Sequence, residues 1–414
     1  MPNTPNTPNG PNNLAGPDVG RLKARVHAEV DRLAPMLLDA SHQIHAHPEL
    51  NYEEHFAHDL LTSILSEHGL DTERKALDVP TAFRAIAGDP SGPGIAVLCE
   101  YDALPEIGHA CGHNVIAAAG LGAGLAAATV AAELGGRVVI MGTPAEEGGG
   151  GKCRLADRGA FDGLQAAMMI HPADADLVAM KVIAIHELWV DYDGEAAHAA
   201  AFPWKGRNAL DAAVLGYTNI SALRQHIRPD ERVHGIFTRA GDKPNIVPSH
   251  TSANYYVRSP TLETLQPLKA RVQACLESGA TASGCTCSIR WAEHPYADML
   301  DNAPIVGAFA RNAAAVGRTM QQPSPDLQVV GSTDMGNVSY LVPSIHPMLQ
   351  VAPRGISIHT PEFARYAGGD EGDRAVLDGA KTLAATIVDL LTSTDLRANA
   401  TADHRASLLL HTSA

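Results

Sequence analysis

The sequence predicts an α/β protein whose mostly parallel central sheet is interrupted by a smaller inserted α+β domain. Short apolar runs that end in polar residues recur with helical segments between them, which is typical of parallel strands joined by helices. A different order of strands and helices begins near residue 184, and the first style returns after about residue 299. In open α/β sheets the binding site forms at the carboxyl ends of the strands.

The first domain is predicted to contain residues 18–183 and 299–414. Apolar residues spaced three and four apart predict helix from Val19 to about Ser66, and the Ala- and Gly-rich segment VIAAAGLGAGLAAATVAAEL predicts a tightly packed core helix. Buried strands are predicted in GIAVLCEYDA, GRVVIMGTPAEE and GLQAAMMIHP. Towards the carboxyl ends of these strands the sequence places Asp102, Glu146, Glu147 and His171.

The inserted domain is predicted at residues 184–298. Strands are predicted in AIHELWVDYDG, ERVHGIFTRAG, SHTSANYYVRS and CTCSIRWAEH, with helices in NALDAAVLGYTNISALRQHI and LETLQPLKARVQACLESG. This β-α-β-β-α-β order predicts a ferredoxin-like sandwich. After it we expect a helix at 303–316, a loop GSTDMGNVS, a strand-like IHPMLQVA, the segment GISIHTPEF and a final helix.

Composition excludes several classes of protein. The chain has 414 residues and a net charge of −15, which argues against nucleic acid and anionic membranes as partners. Its six cysteines form no regular disulfide framework, so we expect a reducing, cytoplasmic location. Residues 1–17, rich in Pro and Asn without an apolar core, are predicted to be a disordered tail and not a signal peptide.

Soft and hard metal ligands cluster in the predicted strand ends and glycine-rich loops. Thiolate, imidazole and carboxylate together suit Zn(II) and tolerate Mn(II) or Co(II). The adjacent pair Glu146-Glu147 precedes GGGGK, and neighbouring side chains on an extended loop point in different directions. One of the two carboxylates can therefore bind metal while the other faces a substrate. The candidate metal ligands are Cys111, His113, Glu147, His171 and His359.

Seven segments in order resemble one family of metal-dependent amidohydrolases, which includes aminoacylases, auxin–amino-acid hydrolases and carboxypeptidase G. These segments are HAHPELNYEE, CEYDALPEIGHACGHN, GTPAEEGGGGK, MMIHP, GEAAHAA, NIVPSH and SIHTPEF. The second and third segments, through EYDALPEIGHACGHN and EEGGGGK, look most like the branch of p-aminobenzoyl-glutamate hydrolase subunits and Xaa-basic (β-alanyl-lysine) dipeptidases. The resemblance implies a zinc-peptidase-like catalytic domain, one or two divalent ions, and a lid domain that makes a homodimer.

The resemblance also implies roles for single residues. Cys111 would bridge the ions, Glu146 would be the general base that draws a proton from the attacking water, and Asp102 would orient a ligand histidine. His198, in GEAAHAA, would stabilise the oxyanion, in relatives often from the opposite subunit. Positions that in relatives hold the substrate's carboxylate or line the site are matched by Asn245, Arg258, Gly331, Ser332 and Thr333.

The resemblance implies hydrolysis of the amide bond of a small-molecule substrate, a dipeptide or an N-acyl amino acid, without choosing the acyl side. Two other interpretations stay open. One is a catalytically weak partner subunit, or a p-aminobenzoyl-glutamate-type subunit that needs a partner. The other is a cysteine hydrolase in which Cys111 and His113 form a dyad, which would leave the carboxylates and the other histidines unexplained.

Overall fold

The computed structural model describes residues 18–324 and 330–412, and the predicted tail at residues 1–17 lies outside these ranges. The helices are α1 (Val19–Ala46), α2 (His55–Glu67), α3 (His113–Ala131), α4 (Gly151–Asp157), α5 (Ala209–Leu223), α6 (Leu262–Ser283), α7 (Ala303–Ala315), α8 (Met335–Ser339), α9 (Pro361–Ala367), α10 (Asp370–Thr392) and α11 (Thr394–Thr412). The strands are β1 (Thr72–Arg74), β2 (Phe83–Gly88), β3 (Gly94–Cys99), β4 (Arg137–Gly142), β5 (Leu164–Met168), β6 (His171–Ala173), β7 (Lys181–Val182), β8 (Ala184–Asp193), β9 (Arg232–Arg239), β10 (His250–Ser259), β11 (Thr286–Trp291), β12 (Val330–Gly331), β13 (Ser344–Ile345) and β14 (Met348–Gln350).

The larger sheet has six strands in the order β1-β2-β4-β3-β5-β13. Strand β3 is parallel to both β4 and β5, and β13 is parallel to β5. Strand β2 is antiparallel to β4, and β1 is antiparallel to β2. The predicted mostly parallel sheet is therefore confirmed, and its three parallel central strands end at the same edge.

Helix α3 is the core helix that the sequence predicts. It is long and apolar enough, by length and composition, to cross a membrane, but 89% of its apolar window is buried inside the protein. Its glycines allow close approach, since a Cβ at Gly120 would lie 2.6 Å from the carbonyl oxygen of Leu98 in β3. This contact places the start of α3 beside the carboxyl end of the parallel strands.

The smaller sheet has four antiparallel strands in the order β11-β8-β10-β9, and helices α5 and α6 connect them in the predicted β-α-β-β-α-β order. Side chains alternate along β8. Leu188, Val190 and Tyr192 are buried in a core shared with α5 and α6. Ile185, Glu187 and Trp189 occupy the alternate positions of the strand. Their side chains lie on the other side of the sheet, which we call the open face.

Three details differ from the sequence prediction. The helix predicted from Val19 to Ser66 is two helices, because Pro48 disfavours helical backbone at His47, where α1 ends. The predicted loop 331–339 contains the short helix α8. The predicted final helix is a series of three, α9 to α11, and α9 and α10 are separated by Gly368 and Gly369.

Candidate active site

Three of the predicted site residues follow the strands whose carboxyl ends meet at one edge of the larger sheet. Asp102 lies three residues after β3, Glu146 lies four residues after β4, and His171 lies three residues after β5. Each of the three side chains is buried. The parallel topology thus brings together groups that are far apart in sequence, as expected for an α/β sheet.

Asp102 connects two candidate metal ligands. Its Oδ1 lies 3.1 Å from Nδ1 of His113, and its Oδ2 accepts a hydrogen bond of 2.9 Å from the backbone N–H of Glu147. Burial opposes a charge on His113, but Asp102 outweighs it, so the pKa of His113 lies well above its ordinary value. Asp102 therefore fixes the ring of His113 with Nε2 directed away from it, an arrangement typical of metal-binding histidines.

Gly112 makes the turn between Cys111 and His113 possible. Its φ is +78°, and a Cβ there would lie 2.8 Å from Pro172. Any other residue would be strained in this left-handed conformation and would collide with Pro172 of β6, the strand that begins with His171. The glycine lets Cys111 approach His171 while His113 begins α3.

Cys111 lies at the centre of the candidate ligands. Its Sγ is 3.5 Å from Nε2 of His171 and 3.5 Å from Nε2 of His359. Nδ1 of His171 is 2.7 Å from the carbonyl oxygen of Pro172, so Nδ1 carries the proton and Nε2 presents its lone pair to the cluster. Burial, followed by the charge of His113, lowers the pKa of His171 to about 4, which keeps the imidazole neutral.

The five predicted ligands form two groups that share Cys111. Cys111, His113 and His171 form one group, and Cys111, Glu147 and His359 form the other, with ligand atoms in each group within 4.8 Å of one another. Two buried atoms of these groups, Nε2 of His113 and Oε1 of Glu147, have no hydrogen-bond partner among the described residues. Since such atoms are costly to bury unpaired, the donor set fits one or two divalent cations.

Glu146 lies against this cluster and against a second set of buried charges. Burial, followed by the charges of Glu100 and Glu147, raises the pKa of Glu146 well above its ordinary value. Ala145, with φ of +59°, redirects the backbone immediately before the pair. Glu146 and Glu147 both contribute oxygens within 4.8 Å of a His113 nitrogen. Both adjacent carboxylates therefore lie close to the His113 ring.

The sequence prediction missed three charged residues behind Glu146. Lys152 is fully buried, and its Nζ lies 2.5 Å from Oε1 of Glu100 and 2.6 Å from Oδ1 of Asp334. Glu100 could have been found, since it shares the end of β3 with Asp102. Lys152 and Asp334 are separated by 182 residues, and no sequence signal pairs them.

His346 is a further residue that the sequence prediction missed. Its ring centroid lies 5.3 Å from that of His171, and it lines the same cavity. It is buried, and neither ring nitrogen has a hydrogen-bond partner among the described residues. Burial, followed by the proximity of His171, lowers the pKa of His346 well below its ordinary value.

A cavity of about 1120 Å³ opens over the cluster, between the edge of the larger sheet and the open face of the smaller one. Nη1 of Arg258, in β10 of the smaller sheet, donates a hydrogen bond of 3.1 Å to Oγ of Ser332, which follows β12. This bond connects the two sides of the cavity. The predicted substrate-binding residues that line this cavity are Arg258, Gly331, Ser332 and Thr333.

Four predicted site residues do not line this cavity: Asp102 and His113 are buried beneath it, and His198 and Asn245 lie away from it. His198 is exposed, and its Nδ1 accepts backbone hydrogen bonds of 3.3 Å and 3.1 Å from Ala200 and Ala201. Asn245 lies nearby, where its carbonyl oxygen accepts a hydrogen bond of 3.1 Å from the N–H of Ala199. Within one chain the structure therefore does not bring His198 or Asn245 to the candidate metal ligands.

The surroundings of Cys111 differ from those of a reactive cysteine. Reactive cysteines have a pKa lowered by neighbouring positive charge. Burial, followed by the charge of Glu147, instead raises the pKa of Cys111 well above its ordinary value. A bound cation would reverse this and hold the thiolate, which is the behaviour of a metal ligand.

Comparison with known proteins finds relatives that are similar over most of the chain. The Xaa-Arg dipeptidase of Mus musculus is 42% identical over 386 residues, which cover 89% of this chain and 89% of that protein. A p-aminobenzoyl-glutamate hydrolase subunit of Escherichia coli is 28% identical over 441 residues, which cover 89% of this chain and 91% of that protein. Both similarities extend over nearly the whole of each protein.

Solved structures share the fold. An aminobenzoyl-glutamate utilization protein from Klebsiella pneumoniae superposes with a TM-score of 0.71 at 20% identity, covering 87% of this chain and 97% of that one. A dinuclear metal-binding peptidase from Bacillus subtilis superposes with a TM-score of 0.64 at 21% identity, covering 86% and 99%. Residues 97–389 match the family model described as Peptidase family M20/M25/M40. The chain therefore belongs to peptidase family M20/M25/M40 and is a hydrolase that acts on peptide bonds.

Proposed function

We propose that the protein is a metal-dependent dipeptidase that cleaves dipeptides with a basic carboxyl-terminal residue. The observation that carries the proposal is the pair of ligand groups sharing Cys111 at the floor of a cavity. The 42% identity to an Xaa-Arg dipeptidase supports the choice of a dipeptide and of its basic residue. Arg258 and Ser332, hydrogen-bonded on the cavity wall, suit the free carboxylate of such a substrate.

We propose that two divalent ions are held by Cys111, His113, Glu147, His171 and His359, with Cys111 shared. The thiolate favours Zn(II), and Mn(II) or Co(II) would also be accepted. When bound, such ions lower the pKa of a coordinated water and polarise the scissile carbonyl.

In the proposed mechanism Glu146 takes a proton from the attacking water and delivers it to the leaving amine. A carboxylate whose pKa is raised by burial holds a transferred proton better than an exposed one. Asp102 holds His113 in the orientation that binding requires. Arg258 fixes the substrate's carboxylate, so that the peptide bond lies over the ligand cluster.

We further propose that residues 184–298 act as a lid and form a homodimer in the cytoplasm. Strand β9 is the edge of the smaller sheet, and apolar side chains are exposed on it and on α5, namely Val214, Leu215, Tyr217, Ile236 and Phe237. Exposed apolar residues next to an unpaired strand edge are typical of a contact surface. The six cysteines, all without a disulfide, support a reducing compartment.

A second candidate is a p-aminobenzoyl-glutamate hydrolase subunit that works with a partner chain. The 28% identity to one subunit of such an enzyme supports it. The structure keeps all five candidate ligands and Glu146 together, which favours a chain that is active without a different partner.

The test is metal content and hydrolysis in the wild type, Glu146→Ala and the control Glu67→Gln, which changes an exposed residue at the end of α2. We expect one or two ions per chain in all three proteins by mass spectrometry. Hydrolysis of Xaa-Arg and Xaa-Lys should fall at least about 100-fold in Glu146→Ala only, since a general base contributes that much or more.

The alternatives give different results. Metal in every protein without hydrolysis of any dipeptide would favour the partner-subunit candidate, and p-aminobenzoyl-glutamate assayed with added partner chain would then test it. Hydrolysis that survives removal of the metal with a chelator would contradict the proposal. Restoration of chelated enzyme by Zn(II), Mn(II) or Co(II), each added alone, would identify the metal.

A further inference from the structure

Glu187 is a carboxylate of the cavity that the proposed mechanism does not use. Glu187 lies on the open face of the smaller sheet, in the middle of β8, and lines the cavity with its neighbours Ile185 and Trp189. In the register of β8 and β10, Glu187 is directly opposite Tyr256, which also lines the cavity. Directly opposed residues on one face of a sheet have side chains in contact range.

Glu187 differs from the other carboxylates of the cavity in its partners. Glu293 is paired with Arg154 at 3.1 Å, and Glu146 and Glu147 belong to the ligand cluster. Oε1 of Glu187 accepts a hydrogen bond of 2.9 Å from Nδ2 of Asn254. Among the described residues, no Lys, Arg or His side chain forms an ion pair with Glu187.

Arg290, a cationic neighbour of Glu187 on the same sheet, is engaged elsewhere. Arg290 lies opposite Trp189 on β11, and its guanidinium stacks over the Trp189 ring at 4.0 Å from the centroid. Burial raises the pKa of Glu187 and outweighs both the hydrogen bond from Asn254 and the charge of Arg290, which lower it. A partly buried carboxylate without an ion pair gains strongly from a cationic ligand.

The position of Glu187 relative to Arg258 suits a basic amino-acid residue. Arg258 is opposite Ile185, so Glu187 is its diagonal neighbour on the same face, at a residue separation of roughly 7–8 Å. A residue whose carboxylate is held by Arg258 and Ser332 could extend a long side chain along the open face. That path runs beside Tyr256, whose ring face attracts ammonium and guanidinium groups, and past Trp189, one face of which Arg290 already covers.

We infer that Glu187 selects substrates with a lysine or arginine side chain on the carboxyl-terminal residue, binding the cation with its free carboxylate oxygen between Tyr256 and Trp189. This inference rests on the proposed dipeptidase function and names the residue that would give it its specificity. Glu187 is a specificity-determining residue in this view. It takes no part in bond cleavage.

The test compares kcat/KM for three dipeptides that differ only in the carboxyl-terminal residue: Xaa-Lys, Xaa-norleucine and Xaa-Glu. In Glu187→Gln, which keeps an acceptor for Asn254, the ratio of Xaa-Lys to Xaa-norleucine should fall about 10- to 100-fold, the worth of one charge-assisted hydrogen bond. Glu187→Asp should restore part of the ratio. Glu187→Lys should shift the preference towards Xaa-Glu.

Glu293→Gln is the matched control, because it removes a cavity carboxylate that already has Arg154 as its partner. It should leave the ratio unchanged. Loss of the ratio in Glu293→Gln, or an equal fall for all three dipeptides in Glu187→Gln, would overturn the inference. Thermal unfolding of each variant separates loss of fold from loss of selectivity.

The inference and the proposed function fail in different ways. A wild type that cleaves Xaa-Lys and Xaa-norleucine equally well is still a dipeptidase, and only the role of Glu187 is then wrong. A wild type that cleaves no dipeptide removes the proposed function itself, and the role of Glu187 with it.

Discussion

At the scale of single residues, the site depends on buried charges that neutralise one another. Lys152 lies between Glu100 and Asp334, and Asp102 faces His113. Burial disfavours the charged form of Lys152, but Asp334 and then Glu100 more than compensate, so the pKa of Lys152 is raised. Removing one partner of a buried ion pair strongly destabilises a protein, because the other charge is left uncompensated. These groups therefore act as one unit.

Asp301 offers a test of buried charge outside the site. It lies just before α7, its buried Oδ1 has no hydrogen-bond partner among the described residues, and burial raises its pKa to about 7. In the unfolded chain this carboxyl titrates near its ordinary pKa of 3.8. Between these two values the folded protein therefore binds more protons than the unfolded chain, so this group lowers stability as pH rises from about 4 to about 7.

We therefore predict that Asp301→Asn stabilises the protein by about 1–3 kcal/mol at pH 8, because it removes the unpaired charge of a half-buried carboxyl. The gain should shrink as the pH approaches 4, where Asp301 is protonated in the wild type. Denaturant unfolding at several pH values measures it. Asp230→Asn, at an exposed position, is the control, and a gain that does not depend on pH would contradict the explanation.

At the scale of secondary-structure elements, helix α3 connects the core to the site. It starts with the candidate ligand His113 and packs against β3, the strand that leads to Asp102. Gly120 and Gly124 are one turn apart on the side that meets the sheet, where added Cβ atoms would lie 2.6 Å from the Leu98 carbonyl oxygen and 2.3 Å from Ile140. Small residues on this side of α3 thus set the distance between helix and sheet.

Gly120→Ala should destabilise the protein by about 1–3 kcal/mol, as overpacking does, because the Leu98 carbonyl belongs to a central strand and cannot move aside. The usual gain in helix propensity from Gly to Ala, roughly 1 kcal/mol, is then outweighed. Gly307→Ala in α7 is the matched control, since the nearest atom to its Cβ is an Arg311 nitrogen at 3.6 Å. Calorimetry should show a lower Tm for the first variant and an equal or higher Tm for the second; the same change in both would exclude the packing argument.

At the scale of the whole molecule, the cavity is built by two sheets of different kinds. The larger sheet supplies the candidate metal ligands at its carboxyl edge, and the open face of the smaller sheet supplies Glu187, Tyr256 and Arg258. His198 is not part of this arrangement within one chain. If it acts, a second copy has to bring it to the cavity, which is the role we propose for the homodimer.

Mixing two inactive variants tests this proposal. Glu146→Ala and His198→Ala should each lose activity, but a mixed dimer contains one site with both residues intact. With random exchange of subunits, about a quarter of the wild-type activity should return, because half of the dimers are mixed and each has one working site. The mixture is measured after unfolding and refolding together, with each variant refolded alone as control. No recovery in mixed dimers isolated by two affinity tags would exclude a contribution of His198 across the interface.

The order of elements and the candidate ligands could be predicted from the amino-acid sequence alone. Apolar runs ending in polar residues predict the parallel strands, and the soft and hard donors at Cys111, His113, Glu147, His171 and His359 form a mixed metal-binding set. These signals are local in sequence. Pro48 is an equally local signal for the break between α1 and α2. The helical periodicity on either side of it led to the prediction of one continuous helix.

Which distant residues meet depends on the tertiary structure. Lys152 pairs with Asp334 across 182 residues, and His346 faces His171 from another strand connection. Glu293 forms an ion pair with Arg154, whereas Glu187 forms no ion pair among the described residues. Such relations depend on strand order and on register, since a shift of one residue along β8 would turn Glu187 into the core and Leu188 towards the cavity. The residue types suggest the chemistry, but the pairing of the strands decides which charges are neutralised and which remain available for a substrate.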